Sequence, residues 1–143
     1  MSPGRRFALA GLAGFLLAAI LSLIAWFVPT FVPALIAPAR VGGPTIPRLV
    51  LLGLGFLAVA ELPLLLIAMV RLSYSAQGQT ILNLTHLAYV AFPAVYGLLG
   101  SGLTGERWWA GLMFILAPVR LVMSLLAVQV PPPAKVLGRG DRK

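Results

Sequence analysis

Four nearly unbroken apolar runs divide the chain. They are FALAGLAGFLLAAILSLIAWFV at 7–28, LVLLGLGFLAVAELPLLLIAMV at 49–70, TILNLTHLAYVAFPAVYGLLGS at 80–101 and WWAGLMFILAPVRLVMSLLAVQ at 108–129. At about 1.5 Å of rise per residue, a helix of roughly 22 residues reaches about 33 Å, enough to cross a hydrocarbon core of about 30 Å. The pattern predicts an all-α integral membrane protein: a four-transmembrane-helix bundle forming a single polytopic membrane domain over 1–143. Between the first two runs lies PTFVPALIAPARVGGPTIPR, whose five prolines and paired glycines rule out a continuous helix. That segment is expected to be a loop lying along the outer interface or over the helix ends. Three prolines after Val130 end the last helix and leave a short basic tail.

Composition sharpens this picture. Hydrophobic residues make up 60% of the 143 residues and charged ones 10%, against about 25% charged in ordinary soluble domains. No mass is left for a soluble catalytic domain. A net charge of +8 would suggest nucleic acid in a soluble protein, but here the cations gather at helix ends, where topology and anionic lipid account for them. No nucleic-acid partner is expected. With the N-terminus inside, Arg5, Arg6, Arg71, Lys135, Arg139, Arg142 and Lys143 share one side and Arg40, Arg48 and Arg107 the other. Seven against three predicts both termini in the cytoplasm of a plasma membrane. Trp26, Phe27, Trp108 and Trp109 then mark the outer interface. The basic start, apolar run and APA at 37–39 mimic a cleaved signal, but the apolar core exceeds the roughly 7–15 residues such signals use. A retained first helix is expected.

Candidate chemistry is confined to a few intramembrane polar residues. Glu61 lies 13 residues after Arg48, and Arg120 lies 13 after Arg107, so both sit about 20 Å below one boundary on helices running the same way. An isolated charge at the bilayer centre costs about 2.5–3.5 kcal/mol on insertion scales, which predicts that these two residues pair. Pro63 and Pro118 free the carbonyls of Val59 and Phe114, expected as further acceptors for the Arg120 guanidinium. Span three adds Asn83 and the stripe His86, Tyr89, Pro93, Tyr96, with His86 about 10 Å and Glu61 about 15 Å from the inner end, close enough in depth to meet if their faces do. Glu61, His86, Arg120, Asn83 and Tyr89 are therefore the candidate intramembrane polar cluster, serving either as a packing device or as a proton or ion relay. The sequon Asn83-Leu84-Thr85 falls inside a span and is not a glycosylation site.

Other chemistry finds no support. The chain has no cysteine, and a single histidine cannot supply two axial haem ligands. No phosphate-binding loop or nucleophile elbow occurs, and Glu106 and Asp141 read as solvated charges. No metal, cofactor or enzyme active site is expected. Size and four-helix layout resemble small multidrug transporters, fluoride channels and accessory subunits of respiratory or photosynthetic complexes. The transporters' acid belongs in the first helix, where this chain has none, and no family is assigned. Ala10, Gly14, Ala18 and Ser22 form a ladder of small residues, with Gly97 and Ser101 a shorter one, suited to close helix packing within or between chains. The function expected is a non-catalytic accessory subunit of a prokaryotic membrane complex, its partners being lipid and other subunits or further copies of itself. A small oligomeric transporter or channel is the alternative.

Overall fold

The computed structural model describes residues 1–28, 45–74 and 78–130. The proline-rich segment up to Pro44 and the basic tail lie outside them, as do the expectations attached to both. The described residues form four α-helices and no strand: α1 (Pro3–Phe27), α2 (Thr45–Ser73), α3 (Gln79–Thr104) and α4 (Trp108–Ala127). All four are long and apolar enough to cross a membrane, and the chain is a multi-pass membrane protein.

Local sequence explains the helix ends. Helix α1 starts before the apolar run because Ser2 accepts the Arg5 N–H at 3.3 Å and Pro3 opens the first turn, where its missing N–H costs nothing. Helix α3 closes at Gly105, whose φ of 77° favours glycine and whose N–H returns to the Ser101 carbonyl at 2.8 Å. Three residues, Gly105 to Arg107, separate α3 from α4.

Helix directions alternate. Gly100 of α3 packs against Leu51 and Trp109, while Gly55 of α2 faces Trp109 and Gly11 and Gly14 of α1 face His86 and Leu87. The end of α1, the start of α2, the end of α3 and the start of α4 therefore lie together, at what is here termed the tryptophan end. Helix α3 is the hub, touching the other three; α4 also packs on α1 and only lightly on α2, and α1 and α2 do not meet.

Between membrane helices the surrounding lipid is as apolar as the contacts, so close approach through small residues carries the packing. Gly11, Gly14 and Ala18 of α1 are buried, and an added Cβ on Gly14 would stand 2.5 Å from the Leu87 carbonyl oxygen. The main chains of α1 and α3 thus nearly touch, and this ladder is spent on contact within the chain. Gly97 does the same towards Ala110 and Met113 of α4. Helix α2 is different: Leu52, Phe56, Val59 and Leu64 are each about 70% exposed, which makes it a flank on a core of α1, α3 and α4.

Candidate functional site

Two separate polar crossings hold the candidate residues. In the first, Arg120 of α4 is fully buried and donates from one terminal nitrogen to Glu61 Oε1 of α2 at 2.6 Å. The same nitrogen donates to the Tyr89 carbonyl of α3 at 2.9 Å, and the other terminal nitrogen to the Ala58 carbonyl of α2 at 2.5 Å. The guanidinium carbon lies 4.9 Å from the Tyr89 ring centroid, a cation–π contact inside the bundle. Tyr96 of α3 completes the set, its hydroxyl donating to Glu61 Oε2 at 2.6 Å. One arginine thereby ties three helices.

The carbonyls that Arg120 uses differ from those expected. Val59 and Phe114, freed by Pro63 and Pro118, do not receive it. Pro93 has no N–H to return to Tyr89 four residues earlier, so that carbonyl is open, and it accepts Arg120. On α2 the acceptor is Ala58, one residue before the carbonyl that Pro63 frees. Of the two helices facing Arg120, α3 presents a proline-freed carbonyl to it, whereas on α2 the guanidinium takes a carbonyl that no proline frees.

His86 forms the second crossing. Its Nδ1 lies 2.9 Å from the Phe7 carbonyl of α1, its Nε2 lies 2.6 Å from Ser124 Oγ of α4, and its ring stacks on Phe7 with centroids 3.9 Å apart. A carbonyl can only accept, so Nδ1 carries the hydrogen, and Nε2 of the neutral ring accepts from Ser124. Ser124 Oγ is also 2.9 Å from the Leu121 carbonyl. The hydroxyl can therefore turn there if Nε2 is itself protonated. Gly11 faces the imidazole edge, leaving room for the ring between α1 and α3.

The five candidates are thus not one cluster. Among the described residues no hydrogen bond joins His86 to Glu61 or Arg120. Asn83 accepts only from Gln79 one turn earlier on its own helix, at 3.3 Å. Depth counted along the helices placed His86 near Glu61, but Tyr89, one turn further on, lies opposite the pair. Among the described residues, Tyr89 Oη and Arg120 Nε in the first crossing are buried without a hydrogen-bond partner, as are Ser22 Oγ on α1 and Trp109 Nε1 on α4.

Sequence reasoning also missed Tyr96 as a partner of Glu61 and Ser124 as a partner of His86. The signal for Ser124 was its place four residues after Arg120 on one helical face. Tyr96 starts roughly 9 Å nearer the tryptophan end than Glu61, taking Leu51 as level with Gly100. Side chains lean towards the N-terminus of their own helix, and α2 and α3 are antiparallel, so the two lean towards each other and meet.

His86→Phe should retain the stacking on Phe7 while removing both hydrogen bonds. It is expected to cost about 1–3 kcal/mol of unfolding free energy in mild detergent, and Ser124→Ala about 0.5–1.5 kcal/mol. Denaturant titration followed by helix signal checks both values, and a neutral His86→Phe would contradict the bracing geometry.

No protein family, curated protein or solved structure matches this chain.

Proposed function

We propose that the chain is a non-catalytic accessory subunit of a larger membrane-protein complex, seated in a prokaryotic plasma membrane with both termini in the cytoplasm. The observation that carries this reading is the use made of the ionisable residues within the spans. Glu61 and Arg120 neutralise each other across α2 and α4 with a further bond to α3, and His86 ties α1 to α4. Between them the crossings brace all four helices, which is what a rigid packing element requires. The uncovered side of α2, with Leu64 and Ile67 at 68% and 53% exposure, is the face offered to a neighbouring subunit.

A photo-crosslinking residue at Leu64 or Ile67, activated in native cells, tests the docking face. Discrete adducts heavier than the chain by a second protein species are expected. Adducts at twice the chain mass alone, or none, would contradict the accessory role. The topology is checked with single cysteines at Ser2, Thr45, Gln77 and Gly138 and a membrane-impermeant thiol reagent on intact cells. Labelling at position 45 alone is expected from the charge asymmetry, and labelling at 2 or 138 would reverse it.

The second reading, a small oligomeric transporter or channel using Glu61, His86 and Arg120, is favoured by one observation. Tyr89 Oη and Arg120 Nε are buried donors without acceptors, and Ser124 can exchange donor and acceptor roles with His86. Homo-oligomeric adducts in the crosslinking experiment support it.

A further inference from the structure

A groove of about 740 Å³ runs between α2 and α4 at the tryptophan end, with Arg48, Leu52, Gly55, Phe56, Val59 and Trp108 on its walls. Its volume falls within the roughly 300–1,000 Å³ of small-molecule sites. It exists because α2 and α4 touch only lightly and because Gly55 presents no side chain: an added Cβ there would stand 3.4 Å from the Trp109 ring.

Length and charge identify an occupant. From Arg48 to Val59 the α2 wall extends about 16 Å at 1.5 Å per residue, half of a hydrocarbon core of about 30 Å. The groove is therefore one leaflet long. It begins at the level of the tryptophan belt and ends beside Ala58, whose carbonyl receives Arg120. Arg48, exposed at the mouth, is the one charged residue among the walls, and the unpartnered Trp109 Nε1 lies against Gly100 of α3 while its ring carbons face Gly55 in the slot. Arg107, also exposed, precedes Trp108 across the groove, and the neighbouring Glu106 carboxylate is engaged by the Trp108 indole N–H at 2.7 Å. The mouth thus offers cationic donors above a hydrocarbon slot one leaflet deep.

We infer that this groove is a binding site for a single anionic phospholipid, with one acyl chain along Gly55 and Val59 and the phosphate at Arg48. The inference depends on the membrane placement of the helices and is independent of the accessory role. An amphiphile suits such walls because the groove has no second polar group at depth to satisfy. Filling the slot supplies the lateral contact that α2 lacks against α4.

The test uses the full chain in nanodiscs containing equal phosphatidylglycerol and phosphatidylcholine, released gently for native mass spectrometry. One retained phosphatidylglycerol per chain is expected, in preference to phosphatidylcholine. Arg48→Gln, a change at an exposed position, should weaken that preference about fivefold, the worth of one basic residue at a membrane surface. Gly55→Leu, whose side chain enters the slot, should abolish retention of both lipids. Equal retention of the two lipids by the unaltered chain, an unchanged preference in Arg48→Gln, or a second copy of the chain in place of lipid would each overturn the inference.

Discussion

Glu61→Gln and Arg120→Gln, made singly, should each cost about 3–5 kcal/mol of stability in mild detergent, because each leaves the opposite charge buried without compensation. The loss should be larger for Glu61→Gln. Arg120 is fully buried whereas the Glu61 side chain keeps 15% exposure, so an orphaned guanidinium has less access to relief than an orphaned carboxylate. The double variant Glu61→Gln/Arg120→Met strands no charge and should recover more than half of the summed loss. Recovery will be incomplete, since the Tyr89 carbonyl opened by Pro93 then has no donor. A denaturant-based double-mutant cycle checks this, and simple additivity of the two single losses would show that the residues are not partners.

Gly14→Ala should destabilise by about 1–3 kcal/mol through overpacking, and Gly14→Leu by more. The expected direction is opposite to helix propensity, which favours alanine over glycine by about 1 kcal/mol. The reason is that the added methyl would meet backbone, the Leu87 carbonyl oxygen at 2.5 Å and the Leu87 Cα at 3.1 Å, and backbone cannot rotate aside. Gly53→Ala on α2 and Gly111→Ala on α4 are the controls, since nothing lies within 4 Å of a Cβ at either position. They should be neutral or slightly stabilising. A Gly14→Ala protein as stable as the controls would mean that α1 and α3 do not approach so closely.

The four helices were legible because an apolar run of spanning length admits little else in lipid, where every backbone polar group must be satisfied within its own segment. Helix ends were less so: α1 begins at Pro3 rather than near Phe7 because a cap at Ser2 decides it, and hydropathy does not register a cap. The Glu61–Arg120 contact could be anticipated from equal depth on parallel helices. Depth is one coordinate only, however, and rotation about each helix axis is not contained in it. That is why His86 was grouped with Glu61 although its ring faces α1 and α4. The same missing coordinate assigned the freed carbonyls to the wrong prolines, while Tyr96 was concealed by the opposed lean of side chains on antiparallel helices, which joins residues that start at different depths. The small-residue ladder on α1 was visible, but its partner was not, because a smooth face fits a helix of the same chain or of another equally well.

We propose that the intramembrane ionisable residues brace an accessory subunit and carry no traffic. Native mass spectrometry of complexes extracted in mild detergent from native membranes tests it most directly, comparing the unaltered chain with Glu61→Gln/Arg120→Met. The account predicts a hetero-complex of the same mass and similar abundance for both, because the double variant keeps the helices packed without needing the charges. A lone homo-oligomer for the unaltered chain, or a stable double variant excluded from the complex, would contradict it.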